Sequence, residues 1–325
     1  MTRSKIRKVL LAAGLLFLII APLFLGDFET SLTAEILIWG LFAMGFDLMF
    51  GFAGMLSFGQ ALFFGAGAYG LVLAVQDLGF GFWPALGAAL VISFVFAAVV
   101  GYFAVKMTWH YFAIITVIST LVFYYIAVGW KSLTGGDDGI SFQIPNLLSI
   151  GDYAVTLYDK SIYYYFILVM VGLSYLLLRQ ITRSQLGRVF VALKENADRV
   201  GLIGYNPHHY RWVAFIIGSL FCGFAGALYS LHMRYTSASF LFWTVGGEAV
   251  LYTIVGGTGT LIGPLIGAAI MIVFKDYISA WFENYLLVMG AITVLLVLVA
   301  PQGILGLLSS RRDESGEERS KSGGS

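Results

Sequence analysis

Apolar runs of roughly membrane-spanning length recur along almost the whole chain, separated by short polar connectors. A helix crossing the hydrocarbon core of a bilayer takes about 20 mostly apolar residues. The pattern predicts crossings at roughly 9–25, 32–50, 55–75, 83–105, 109–128, 162–178, 212–232, 248–258, 264–280 and 285–308. The expected fold class is all-α, a polytopic integral membrane protein of about ten segments. The polar remainder is a loop at 129–161, a charged loop at 179–211 and a tail after Leu308. We expect one membrane domain over 1–308, a disordered tail over 309–325, and no soluble domain between the helices.

Two runs are interrupted by glycine, at Gly51-Phe52-Ala53-Gly54-Met55-Leu56-Ser57-Phe58-Gly59-Gln60 and at Gly256-Gly257-Thr258-Gly259-Thr260-Leu261-Ile262-Gly263-Pro264. The segment 248–258 is too short to span alone, so 248–280 reads as two crossings or as a re-entrant segment. Irregular backbone is tolerated at membrane depth only where protein or a water-lined cavity surrounds it. Paired breaks in the two halves of a chain point to a substrate passage near the midplane, because half-helix ends there offer unpaired N–H and C=O groups. Gly51, Gly54, Ser57 and Gln60, with Gly256, Gly257, Gly259 and Thr260, are therefore candidates to line or gate a translocation pathway. Close helix packing is the competing and compatible explanation, since Gly259, Gly263 and Gly267 follow the small-xxx-small spacing.

Composition narrows the class. Only 11% of the 325 residues are charged and 59% are apolar, with 39 glycines, whereas a soluble domain carries about 25% charged residues. A formal net charge of +1 excludes a basic nucleic-acid binder. The single cysteine, Cys222, excludes an intrachain disulfide or a cysteine-based metal cluster. The basic start (Arg3, Lys5, Arg7, Lys8) before an apolar stretch resembles a signal sequence, but no small-x-small cleavage site follows, which favours a retained first helix.

Basic residues near helix ends stay on the cytoplasmic side. With ten crossings and the N-terminus inside, fifteen of the 19 basic residues are cytoplasmic: the four at the N-terminus, Lys106, Arg179, Arg183, Arg188, Lys194, Arg199, Arg211, and Arg311, Arg312, Arg319 and Lys321. The outer connectors carry Asp27, Glu29, Asp77, Asp137, Asp138, Asp152 and Asp159 instead. Both termini and the 179–211 loop are expected inside.

Enzymatic signatures are weak. Gly65-Ala66-Gly67-Ala68-Tyr69-Gly70 fits GxGxxG but lies in an apolar helix with no βαβ unit, and neither a Walker A cradle nor HExxH occurs. No metal is expected; the adjacent His208-His209 reads as a solvated turn. Intramembrane acids are costly and hence functional candidates. Glu35 reads as solvated near the outer interface, Asp47 as a cap on a half-helix or a pathway residue, and Glu248 as a cap on the start of a helix or a contact for a substrate ammonium.

In the charged loop Leu186, Phe190, Leu193, Ala197, Val200 and Gly201 form an amphipathic helical stripe that Asn206-Pro207 ends. Taken alone it reads as a surface helix on the membrane. Its segment Glu195-Asn196-Ala197-Asp198-Arg199-Val200-Gly201, however, resembles the coupling motif EAAxxxG of ATP-binding-cassette importer permeases, matching at Glu195, Ala197 and Gly201 and departing at Asn196.

Five ordered blocks, Gly51 to Gly70, Leu133 to Gly139, Leu186 to Glu195, Phe224 to Tyr229 and Gly256 to Ala268, resemble the M-type permease subunits of branched-chain amino acid (Liv) importers over roughly 32–308. The first departs from the family pattern at Met55, Phe58 and Gln60, where the family commonly has Gln, Leu and His. The resemblance implies a permease paired with a second permease, two cytoplasmic ATPases that bind ATP and Mg, and an extracytoplasmic binding protein. No cofactor and no catalysis belong to this chain itself. It also implies that the helix around Leu186–Gly201 docks its stripe on an ATPase, using Phe190, Leu193, Glu195, Ala197 and Gly201. The loop Gly135, Gly136, Asp137, Asp138 would receive the binding protein on the outer face. A branched-chain amino acid is the expected substrate, although closely similar permeases serve importers of urea, short amides and aromatic amino acids. A channel or secondary transporter is the more distant alternative.

Overall fold

The computed structural model describes residues 18–107, 109–150 and 153–279, with single positions at 14, 16, 281, 287, 290, 291, 294 and 303. The predicted crossing at 285–308, the start of that at 9–25, both basic termini and the tail 309–325 thus fall largely or wholly outside the described residues. Within them, helices α1 (Asp27–Asp47, continued by a π-helical turn Leu48–Phe52), α2 (Gln60–Gln76), α3 (Phe82–Ala104) and α4 (Trp109–Gly129) lead to a short α5 (Lys131–Thr134). After strands β1 (Ile140–Ser141), β2 (Leu148–Ile150) and β3 (Tyr153–Val155) come α6 (Lys160–Arg183), α7 (Gln185–Glu195), α8 (Ala197–Leu202), α9 (Pro207–Met233), β4 (Tyr235–Thr236), α10 (Trp243–Gly256) and α11 (Ile262–Ser279). Six of the described helices, α1, α3, α4, α6, α9 and α11, are long and apolar enough to cross a membrane, and α2 is a shorter apolar helix. The chain is a polytopic, predominantly helical membrane protein.

Burial divides the helices into a centre and a rim. The apolar window of α1 is 78% buried and that of α4 only 22%, so α1 is surrounded by protein while α4 faces outward. The rim helices turn an apolar stripe outward, Val91, Val95 and Val99 on α3 and Ile114, Ile118, Val122 and Tyr125 on α4, all exposed. That spacing is one helical face, and such a face carries no penalty against lipid tails, which are as apolar as leucine. At the centre, α9 packs on α1, α2 and α3 through backbone contacts that admit no side chain: a Cβ on Gly67 would run into the Gly223 carbonyl, and one on Gly45 would stand 2.9 Å from the Gly218 carbonyl.

The loop 129–161 is more ordered than its lack of apolar periodicity suggests. β1 pairs antiparallel with β4, Ile140 opposite Thr236, and β2 pairs with β3. Two- and three-residue strands are too short for alternation to register. Lys160 bridges to Asp27, and Tyr69 donates to the Thr134 carbonyl at 3.2 Å. These contacts gather Asp27, residues 130–150, 153–160 and 234–236 at one end of the bundle. The opposite end gathers the π-turn, Val105, α7, α8 and the start of α9, where His208 Nδ1 lies 3.2 Å from the Val105 carbonyl oxygen.

Candidate functional site

The first break begins where α1 widens. Just past the π-turn the Met55 N–H bonds back to the Met49 carbonyl within it at 2.9 Å, and Gly54 takes a left-handed φ of 71° on the way to α2. Ser57 and Gln60 are fully buried. The Ser57 hydroxyl oxygen accepts from the Gly59 N–H at 3.2 Å and from Gln60 Nε2 at 3.1 Å, while Gln60 Oε1 has no hydrogen-bond partner among the described residues. The helix predicted at 55–75 accordingly begins at Gln60, because residues 53–59 form an irregular turn.

The second break is a helical hairpin. α10 ends at Gly256, Gly257, Gly259 and Leu261 take positive φ, and α11 leaves in the opposite direction. Thr260 Oγ1 donates to the Gly257 carbonyl and accepts from the Gly263 N–H, both at 2.9 Å, which caps α11. Close packing, the competing explanation of these glycines, describes some of them, and turn geometry describes others. Gly263 and Gly267 pack against the α10 backbone at Gly256 and Tyr252, whereas Gly257 and Gly259 supply turn conformations. The 14 residues of α10 reach only about 21 Å at 1.5 Å per residue, short of a hydrocarbon core of about 30 Å.

Asp47 joins the two breaks. It is fully buried; its Oδ1 accepts from the Gly259 N–H at 2.7 Å and its Oδ2 from the Leu261 N–H at 3.2 Å. Both donors precede α11, which begins at Ile262, so Asp47 holds the turn ahead of that half-helix and does not cap its first helical turn. A buried carboxylate is costly unless hydrogen-bonded, and two backbone donors in a non-helical turn provide that compensation. Gly51 and Gly259 touch beside it, for a Cβ on Gly51 would overlap both Asp47 Oδ1 and the Gly259 nitrogen. This meeting point lies at the Asp47 end of α1, next to α7, rather than halfway along the helix.

The element read as one helix from Leu186 to Gly201 is two. Asn196 is extended (φ −162°, ψ 104°), closing α7, and its side chain accepts from the Arg199 N–H at 3.0 Å to cap α8. Asparagine favours such a cap over a helix interior, so the departure from the motif at this position is what divides the helix. The stripe also turns the other way from expectation. Phe190 and Leu193 are buried in the chain's own core, because α7 lies on α6 and α9, and they are not available to a partner. Glu195 and Gly201 are exposed and Ala197 is partly so. The pair instead exposes Leu202 (87%) and Ile203 (71%) beside a groove of about 380 Å³ lined by Arg188, Val189, Ala192, Val200 and Tyr205 among others. Stripe periodicity gives no signal for Leu202 and Ile203, which follow Gly201 outside its phase.

On the other end, Gly135, Gly136 and Gly139 all take positive φ, leaving Asp137 and Asp138 exposed while Tyr235 Oη donates to the Asp138 carbonyl at 3.0 Å. Asn206 Oδ1 accepts from the N–H groups of His208 and His209, a helix cap as the solvated-turn reading expects.

Glu248 does not cap a helix start: α10 begins at Trp243, one turn and more upstream, and Glu248 accepts from Tyr252 Oη at 3.1 Å. Glu35, half-buried, accepts from Trp39 Nε1 at 3.3 Å. Trp39 meets Phe64, Tyr229 and Tyr252 with ring centroids 5.4, 5.3 and 6.0 Å away. This aromatic cluster is absent from the predicted site. Its signal is present as Glu-xxx-Trp at 35–39 and Glu-xxx-Tyr at 248–252, the spacing that stacks two side chains on one helical face.

A family model described as branched-chain amino acid transport system / permease component matches residues 30–298. The high-affinity branched-chain amino acid transport system permease protein LivM of Salmonella typhimurium is 25% identical over 319 residues, covering 92% of this chain and 75% of that protein. LivM of Escherichia coli is 25% identical over 323 residues, covering 93% and 76%. The permease protein LivH of Escherichia coli is 25% identical over 293 residues, covering 82% and 91%. No solved structure matches the chain. The matched span holds both breaks, Asp47 and the α7–α8 pair, and the chain belongs to the branched-chain amino acid transport system permease family.

Proposed function

We propose that the chain is one of two permease subunits in an ATP-driven importer of branched-chain amino acids in the cell's inner membrane. The observation that carries the reading is the family match over 30–298 on a chain whose two helix breaks meet at a buried carboxylate, Asp47. As a transport subunit it has no catalytic residue, and ATP and Mg belong to two cytoplasmic ATPases. Relatives named LivM and LivH both align with this chain, which supports pairing with a second, similar permease.

On this reading the end holding α7 and α8 faces the cytoplasm, together with the basic residues of 179–211. The exposed Glu195, Ala197, Gly201, Leu202 and Ile203 form the ATPase-docking surface, and the extracytoplasmic binding protein delivers substrate at the Gly135–Asp138 end. Gly51, Gly54, Ser57, Gln60, Gly256, Gly257, Gly259 and Thr260 gate the passage, with Asp47 holding the gate in its closed form. Reconstituting the permease pair with its ATPases and binding protein in proteoliposomes tests this. Leucine uptake that requires ATP is expected. Urea uptake without leucine uptake overturns the substrate, and uptake independent of the ATPases overturns the importer class.

A further inference from the structure

One exposed side chain ties the cytoplasm-facing pair to the gate. Lys194, next to Glu195 at the end of α7, extends its ammonium to the Gly51 carbonyl, Nζ to O 2.8 Å. That carbonyl is available because of the π-turn: its ordinary helical partner, the Met55 N–H, is engaged by Met49. The lysine stem lies on Gly54, where a Cβ would stand 3.0 Å from Cγ and 3.1 Å from Cα of Lys194. Gly51 in turn abuts Asp47 and Gly259, and Asp47 holds Gly259 and Leu261. From α7 to the apex of the second break every step is a hydrogen bond or a direct contact. The step in the middle is a π-turn, a rare form that interrupts regular helix as a single turn and is frequent at functional sites.

We propose that Lys194 is the positioning residue that transmits displacement of α7 to both helix breaks, through the Gly51 carbonyl and the Asp47 carboxylate. The proposal rests on the reading of α7 and α8 as the ATPase-facing element. When α7 moves with the ATPase, Lys194 pulls on the π-turn. The turn carries Asp47 with it, and the bonds from Gly259 and Leu261 are made or released together, so the two breaks open and close as one unit. A long stem with a cationic tip suits this role, because the stem fills the surface left bare by Gly54 while the tip takes a lone backbone acceptor and attracts Asp47 as well.

The test compares the wild-type reconstituted complex with Lys194→Met and Lys194→Arg, measuring co-purification of the ATPases, thermal stability, ATP hydrolysis and leucine uptake. Lys194→Met keeps the stem and removes the donor. It is expected to assemble and melt as wild type while uptake per ATP hydrolysed falls about tenfold or more, the shift set by loss of one charge-assisted hydrogen bond. Lys194→Arg, which can still donate to Gly51, is expected to restore uptake per ATP to within about twofold of wild type. Wild-type coupling in Lys194→Met overturns the proposal, as does a loss of assembly or thermal stability that accounts for its loss of uptake, or an arginine variant as defective as the methionine one. Failure of the underlying function is read separately, on the wild type, as no ATP-dependent uptake at all.

Discussion

Replacing Asp47 by alanine tests whether its carboxylate is what holds the second break shut. The substitution removes the acceptor of two backbone donors, Gly259 N–H and Leu261 N–H. Leu261 is buried, so its orphaned N–H bears a desolvation cost of about 2 kcal/mol; Gly259 is half-buried and can reach water, so its share is about 1 kcal/mol. Leu261 also sits at φ 57°, a left-handed conformation that costs a non-glycine residue about 1 kcal/mol, but that strain is present with or without the carboxylate and drops out of the difference. Local opening of the turn should therefore become easier by about 3 kcal/mol, on the order of a hundredfold in the opening equilibrium at about 1.4 kcal/mol per factor of ten. Asp47→Asn keeps one carbonyl oxygen and sheds the cost of burying a charge, so its effect should be about tenfold. Hydrogen exchange followed by mass spectrometry on a peptide spanning 257–263 reads this equilibrium directly, with a peptide from the middle of α9 as control. Unchanged protection of 257–263 in Asp47→Ala would refute the reasoning. So would equal loss in both peptides, since that means global loosening and not release of one turn.

The remaining predictions address packing, docking and sidedness. Gly67→Val should abolish the folded subunit, because its Cβ meets the Gly223 backbone, whereas Gly87→Ala, in open space on an exposed face of α3, should raise stability by up to about 1 kcal/mol through helix propensity; size-exclusion profiles and melting curves in detergent report both. Leu202→Ala with Ile203→Ala should weaken ATPase co-purification tenfold or more, since full burial of each side chain contributes about 1.5–3 kcal/mol, and retention of the ATPases would show that they dock elsewhere. Gly201→Trp, at an exposed position where an added Cβ meets nothing closer than Pro207 at 3.9 Å, should leave membrane insertion intact and remove substrate-stimulated hydrolysis. Reporter fusions after Arg183 and after Ser309 should both register inside, and an outside signal at either overturns the assigned topology.

What the sequence reveals and what it conceals differ by physical cause. Apolar runs announce spanning helices because lipid and protein interior select the same side chains, so α3, α4, α6 and α9 appear close to their predicted bounds. The same indifference hides which face turns inward: nothing in apolarity distinguishes Phe190, fully buried, from Leu202, almost fully exposed. The glycine breaks are legible because only an unusual backbone tolerates such runs. Their contact through Asp47 is not, since residues 47 and 259 are joined by tertiary packing alone. Asn196 stands out in the sequence as a departure from the motif, and its capping chemistry turns one expected helix into two. Glu35 and Glu248 stand out as costly charges, but each reads singly; the aromatic partner four residues on is the missing half of each pair.

On the proposed function, the inward turn of the α7 stripe bears on how force from an ATPase reaches the two helix breaks. A helix docked on an ATPase by its apolar face would be held by the partner and free of its own bundle, and motion would have to pass along the flanking chain. Here Phe190 and Leu193 fix α7 to the membrane bundle, while Glu195, Gly201, Leu202 and Ile203 stay on the outside. An exposed surface pushed by a partner then moves α7 as a lever seated in the core, since close-packed interiors transmit displacement and do not absorb it. The lever's end carries Lys194, and across the interface that residue holds the irregular backbone of the π-turn. The regular helix α1 before it resists bending, so displacement concentrates in the π-turn and the irregular stretch 53–59 that follows it. The breaks at Gly51 and Gly259 are where such a segment exists.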